Sequence, residues 1–573
     1  DIQPMWAGES IYFVSDREKS GRLNLYKAPA AGGDAKKLTN FQDFDVKFPS
    51  LGDKCIVFEQ GGWIWKLDLA TDKAEKLSIR VVDDKAVART KLQNVAKEVT
   101  NFEISPDGSA ALFGARGDFF VVPTKGATRN LANTPGVHER NSKWSPDGKY
   151  IAYISDKSGE DEVWMVTADG KTHTQLTRNG DTYKYEISWS PDSTKVLWTD
   201  KKLRIAYVDI KTKEQTAVIQ SPVWEVRDAV WSPDSKWIAW SQQEKNGMSD
   251  IQLYSVEQGK TYTVTEGRHG NSQPCFSGDG KYLFFVSARD FNPIYSATEW
   301  NHAYQNMNRI YAVLLSKDTR SPFGTPQDEL KKPTPVPAPK DGPKDDPKKD
   351  DPKKGDPKKG DKAPSSQTGV TVKIDTANLA DRIIQIPVKP GNYRNLQSVG
   401  SSVYYIGMGG MAVYDLAAKR ETVLGPVNGY EISADGKKMI VSAQGKHAII
   451  DLPRGPVSIG EGLNLSGMEV RLDRKAEWKQ IYHECWRQMR DFFYDPNMHG
   501  VDWKAMRDRY EPLVEHVAHR ADLTYIIGEL ISELNAGHAY VGGGDMPRPE
   551  RVPLGLLGAK LRSASGTKFV QIQ

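Results

Sequence analysis

The chain has 573 residues and a formal net charge of +4, with 27% charged and 38% hydrophobic residues. It is too long for a single hydrophobic core, which stops growing near about 250–300 residues, so two or more domains are expected. No run approaches the roughly 18–20 unbroken apolar residues that span a bilayer, and no basic face suggests nucleic acid.

The excess charge is local. Eleven lysines and seven aspartates between Lys331 and Lys362 account for all of it. Three scattered cysteines, Cys55, Cys275 and Cys485, exclude a disulfide framework and every cysteine-based zinc spacing. The chain opens on Asp1 with no basic-then-apolar leader, and the start of the natural protein is expected upstream.

In chain order, "WAGESIYFVSD" and "FPSLGDKCIVFEQGGWIWKLDL" read as two strand-rich blades ending near residue 77. A period then becomes visible. The turns "ISPDGSAALFGAR", "WSPDGKYIAYISD", "WSPDSTKVLWTD", "WSPDSKWIAWSQ" and "FSGDGKYLFFVSA" place Ser105, Ser145, Ser190, Ser232 and Ser277 at intervals of 40, 45, 42 and 45 residues. That is the length of a four-stranded propeller blade. Two further turns, near Ser398 and at Ser433, raise the count to seven.

Pro and Asp-Gly set each turn, and alternation such as Tyr150, Ala152 and Ile154 sets the strand after it. A blade cannot bury both of its own faces, so neighbours must stack and the ring must close. Trp144, Trp189 and Trp231 then belong to packing between blades rather than to a ligand site. The fold class is therefore mainly β. The chain reads as the last blades of an N-terminal propeller over 1–77 and a seven-bladed propeller over 78–453. Its Lys/Asp/Pro-rich insertion over 325–368 cannot join a core and should be disordered; a solvated surface loop is the plainer reading, a tether the other.

Beyond residue 454 the apolar period lengthens from two to 3.6. Trp478, Ile481, Tyr482, Cys485, Trp486, Met489, Phe492 and Phe493 stripe one helix ending at "YDP". A second helix starts behind the N-cap Asp502 and carries Trp503, Met506 and Tyr510 on one face. A third is expected from Asp522, with Tyr525, Ile526, Leu530, Ile531 and Leu534 together and Gly537 as its C′ residue. These helices make a module over 454–545, and 546–573 would begin the next region.

His538 stands between Gly537 and "VGGGD", at a helix-to-strand junction on this reading. Partial negative charge at the helix end and open glycine backbone suit a general base. On spacing alone, a lone histidine more often caps a helix or fills a core. "HECWR" fails as a zinc helix because Arg487 stands where a second histidine is required. His516 and His519 share a face without a third ligand, and His483 and this pair read as surface histidines. No G-x-S-x-G elbow follows the blades, which excludes an attached α/β-hydrolase.

The runs "DFFYDPNMHGVDWKAMRDRYEPLV", "DLTYIIGELISELNAGHAYVGGGD" and "RVPLGLLGAKL" resemble the tricorn protease family and its bacterial members. The SPDG turns alone are less specific, being shared with TolB-like and prolyl-oligopeptidase propellers. The resemblance implies a serine peptidase of the tail-specific protease superfamily, with a PDZ domain after the helical module. It makes His538 the catalytic base, where Gly537 replaces an auxiliary serine of the archaeal pattern.

It also implies peptide or unfolded-polypeptide substrates entering through the ring, a homo-oligomer of six subunits, a cytoplasmic location with export as the alternative, and no metal or organic cofactor. The nucleophilic serine, oxyanion amides and carboxylate relay are expected beyond Gln573, so the fragment alone should be inactive. The rival reading is a non-catalytic propeller that binds peptides or proteins. The enzyme reading sets its own condition, that the His538 ring face a cleft. A ring entombed in a core, or turned to solvent away from any groove, leaves only a binding platform.

Overall fold

The computed structural model describes residues 1–290, 293–295, 302–324 and 369–546, with short stretches between 552 and 572. The expected insertion over 325–368 and most of 546–573 lie outside the described residues. The chain forms two compact units, one of residues 1–89, 481–485 and 497–573, the other of residues 90–480 and 486–496.

In the larger unit, among the described residues, seven antiparallel sheets of three or four strands follow one another from Val99–Ile104 to Lys446–Asp451, and a two-stranded ladder of Pro293–Tyr295 with His302–Tyr304 is inserted within the fifth. Six have four strands and the last has three. Ser105, Ser145, Ser190, Ser232, Ser277 and Ser433 are buried and each donates to the aspartate two residues on, at 2.7 Å for Ser105 and Asp107 and at 2.5 Å for Ser190 and Asp192, whereas the half-buried Ser398, with Gly400 in the aspartate position, donates to the Ser402 carbonyl at 2.8 Å. In the aspartate turns the same serine hydroxyl accepts the N–H five residues ahead, as from Ala110 and Lys195. The sequence repeats because this double bond fixes where the second strand begins.

The fourth position of the turn needs a left-handed backbone, which Gly108, Gly148, Gly280 and Gly436 supply. Ser193 and Ser235 adopt it too, at φ 60° and 62°. Their hydroxyls accept the N–H groups of Asp147 and Asp192 from the neighbouring sheets, each at 3.0 Å. Those bonds offset the strain that a side chain meets there. The Asp435 N–H donates to the Pro106 carbonyl at 3.2 Å, linking the last sheet to the first. His447 packs edge-on against Phe102 and Phe113, so the ring is closed.

Trp189 behaves as inter-blade packing. It is buried, and its indole N–H donates to the Lys143 carbonyl of the preceding sheet at 2.9 Å. On the first strand of several sheets sit charged groups that face one another. Lys143 pairs with Glu103 at 3.3 Å, and Gln397 donates to Glu431 at 2.8 Å. Burial pushes the Glu103 carboxyl up to about 7, with Lys143 opposing and Glu431 assisting.

The smaller unit opens with two four-stranded sheets, from Ile2–Ala7 to Lys36–Lys37 and from Lys47–Leu51 to Lys73–Lys76. Tyr12, Val14, Leu25, Ile56, Phe58 and Leu67 form the core between them. Helix α1, Arg474–Phe492, is capped by Asp473 and contributes residues to both units. Helix α2, Trp503–Val514, starts behind Asp502 as expected. Helix α3, Arg520–Ser532, starts two residues before the expected Asp522, because the His519 ring accepts the Ala521 N–H while Asp522 accepts the N–H of His519. No helix of the described residues is long and apolar enough to cross a membrane.

Candidate functional site

Helix α3 buries Leu523, Ile526, Ile527, Leu530 and Ile531, a continuous apolar stripe that sets its rotation. Its end differs from the expectation. The helix stops at Ser532 with Glu533 as cap, and Asn535, at φ 49°, takes the left-handed position assigned to Gly537. Asparagine serves there because its short polar side chain tolerates that backbone. The Leu534 carbonyl is held by Nδ1 of His499 at 2.7 Å.

Gly537 is not left-handed, and a side chain there would meet open space. His538, six residues past the helix, adopts φ 61° in a turn, and no strand follows among its described neighbours. The helix-dipole argument therefore lapses, since that field fades within the last turn.

The ring of His538 is exposed, with the Tyr540 hydroxyl 3.4 Å from its Nδ1. It is not entombed, and it does not line the cavity described below. By the condition set from the sequence, these residues alone do not build a catalytic cleft around it. One nearby constraint is firm. Gly544, at φ 84°, lies against the buried Arg520 guanidinium, whose Nε would sit 2.0 Å from any added Cβ.

The other histidines have local duties. His483 Nε2 lies 3.2 Å from Glu511, and His519 caps α3. Arg487, which spoiled the zinc motif, pairs with the buried Asp156 at 2.5 Å and donates to the Gly159 carbonyl at 3.1 Å. Among the described residues no cluster of three or more His, Cys, Asp or Glu side chains could hold a metal ion.

The smaller unit also contains a cavity of about 1010 Å³ between its second sheet and helices α2 and α3. The sequence reading missed it. Its one local signal was "QGGWIW", where Trp63 and Ile64 remain 45% and 44% exposed despite lying in a strand.

These features define a β-propeller protein carrying a helical module. The Tricorn protease second beta propeller domain matches residues 99–453, and the Tricorn protease C1 domain matches residues 474–532. The first match spans more than half of the chain, which belongs to the tricorn protease family.

Tricorn protease homolog 1 of Streptomyces coelicolor is 28% identical over 97% of this chain and 53% of its own length. The Tricorn protease homolog of Saccharolobus solfataricus is 26% identical over 99% of this chain and 51% of its own. A crystal structure of the tricorn protease superposes with a TM-score of 0.76 and 19% identity, over 94% of this chain and 51% of that one, a likeness of fold. The chain spans about half the length of the curated relatives it matches.

Proposed function

We propose that the protein acts in peptide hydrolysis as part of a tricorn-type serine peptidase, with His538 as general base and the nucleophilic serine supplied from outside these 573 residues. The observation that carries this reading is similarity to tricorn protease homologs over nearly the whole chain. His538 in "AGHAY" supplies the residue type that an acyl transfer needs.

In that reaction the imidazole removes the serine proton as its oxygen attacks the peptide carbonyl. It then returns the proton to the leaving amine, while backbone amides stabilise the oxyanion. An exposed ring next to glycines is accessible to a partner group, and the left-handed backbone at His538 sets the direction from which that group must approach. Peptides and unfolded polypeptides are the substrates in this reading, the seven-sheet ring filters them, and the assembly is a homo-oligomer.

The exposure of His538 favours a second reading, a propeller platform that binds peptides without cleaving them. His538→Ala in the full-length protein separates the two. Peptide hydrolysis should fall by about 10³-fold or more, with the melting transition unchanged because an exposed ring carries little of the fold. Turnover that survives the substitution removes His538 from the reaction and leaves the platform.

A further inference from the structure

His538 belongs to a loop held at two points. At its start the Leu534 carbonyl is held by Nδ1 of His499 at 2.7 Å. At its far end Gly544, at φ 84°, lies against the Arg520 guanidinium, where an added Cβ would stand 2.7 Å from Cζ, 2.8 Å from Nη2 and closer still to Nε. Between these points, over 536–543, the main chain makes no backbone hydrogen bond among the described residues, and a side chain at Gly537, Gly542 or Gly543 would meet open space. The contact of the Tyr540 hydroxyl with His538 stays within the loop. Arg520 opens the 13-residue helix α3 and Leu534 follows its end, so the loop runs back along the helix. That return takes about 20 Å of a roughly 30 Å extended reach, and losing either hold gives His538 several ångströms of freedom.

Arg520 stands there against two physical penalties. It is the first residue of α3, where the helix dipole opposes a cation. It is also only 9% exposed, its Nη1 is buried with no hydrogen-bond partner, and no carboxylate of the described residues is in ion-pair range. Asp522, nearest in sequence, is engaged in the cap, where it accepts the N–H groups of Ala518 and His519. The Cys485 thiol feels the Arg520 charge, but burial pushes it up to about 11, so it stays neutral near pH 7 and supplies no counter-charge. A buried cation without a partner lowers stability, and a residue that breaks a local rule in this way marks a functional position.

We propose that Arg520 is a positioning residue of the peptidase site: its guanidinium supports the main chain at Gly544 and so holds the loop where His538 can meet the reacting group. It touches no substrate and acts only through Gly544. The inference rests on the proposed role of His538 as general base. A planar guanidinium suits the place because a glycine main chain can lie on its flat face, which the compact ammonium of a lysine does not offer.

The test pairs stability with kinetics. Arg520→Met removes the charge and keeps most of the volume, so the melting temperature of the 573-residue chain and of the full-length protein should be unchanged or higher, no partner being left unpaired. Peptide hydrolysis by the full-length variant should lose about 10²-fold in kcat with KM within about twofold, as expected for a base misplaced by about 1 Å. Millimolar guanidinium ion should restore at least about tenfold of the activity lost in Arg520→Ala and leave the unmodified enzyme unchanged. A melting temperature that falls in full-length Arg520→Met makes Arg520 half of a structural ion pair with a group outside the described residues and overturns the inference. An unchanged kcat in Arg520→Met, measured where His538→Ala is inactive, overturns it as well. Turnover that survives His538→Ala removes the base itself, and the positioning role falls with it, a failure told apart by that intact activity.

Discussion

The serine turns of the ring and the glycine-rich run after α3 are both tight-turn sequences, yet they are held in opposite ways. Ser190 is fully buried, donates to Asp192 and accepts the Lys195 N–H, while the Asp192 N–H bonds to Ser235 of the next sheet. Around Gly537 and Gly542 an added side chain would meet only open space, and His538 and Tyr540 are exposed. The first kind of turn is over-determined and carries stability. The second is exposed over most of its length and meets a buried group where Gly544 rests on Arg520.

If this contrast holds, substitutions in the two regions must report on different quantities. The largest stability effect is expected for Arg487→Met, which leaves Asp156 buried with only the Gln480 amide and the His138 N–H. Removing one partner of a buried pair costs about 3–5 kcal/mol, visible in denaturant unfolding of the 573-residue chain.

Gly544→Ala should act on the other quantity. The new methyl must displace the Arg520 guanidinium or the loop, so peptide hydrolysis by the full-length protein should drop by about 10²-fold, the cost of a misplacement near 1 Å, with little change in melting. Intact activity would mean that the loop's position is irrelevant to chemistry.

Ser190→Ala strips one turn of its bonds and should destabilise by about 2 kcal/mol, measured as a lower denaturation midpoint at unchanged slope. The smallest effect is pH-linked. Burial, then the charges of Asp118 and Asp156, push Glu139 from an ordinary 4.5 up to about 8. An acid whose folded value is raised holds its proton longer when folded, so it lowers stability as pH rises from about 4.5 to 8. Glu139→Gln should therefore stabilise the chain at pH 8 by on the order of 1 kcal/mol and by almost nothing at pH 5, as paired melting curves would show.

Much of the ring was legible because its signal is repeated and local. The seven turns, the strand after each and the packing role of Trp189 follow from short-range chemistry written several times over. The stripe of α1 and the start of α2 were readable for a similar reason, since a 3.6-residue period and the aspartate cap at Asp502 need no distant partner. The start of α3 was misplaced by two residues because a histidine cap lacks the usual signature, and its end was misplaced because Asn535 and Gly537 compete for one conformational role.

By itself the sequence determined the blade period, the helical stripes and the type of residue at position 538, all of which depend on neighbours within a few positions. Only the tertiary structure decided that Arg487 meets Asp156, that the Tyr525 hydroxyl meets Glu59, and that the His538 ring is exposed. The physical reason is that pairing and burial depend on which strands and helices lie opposite one another, and those partners are separated by hundreds of residues in the chain.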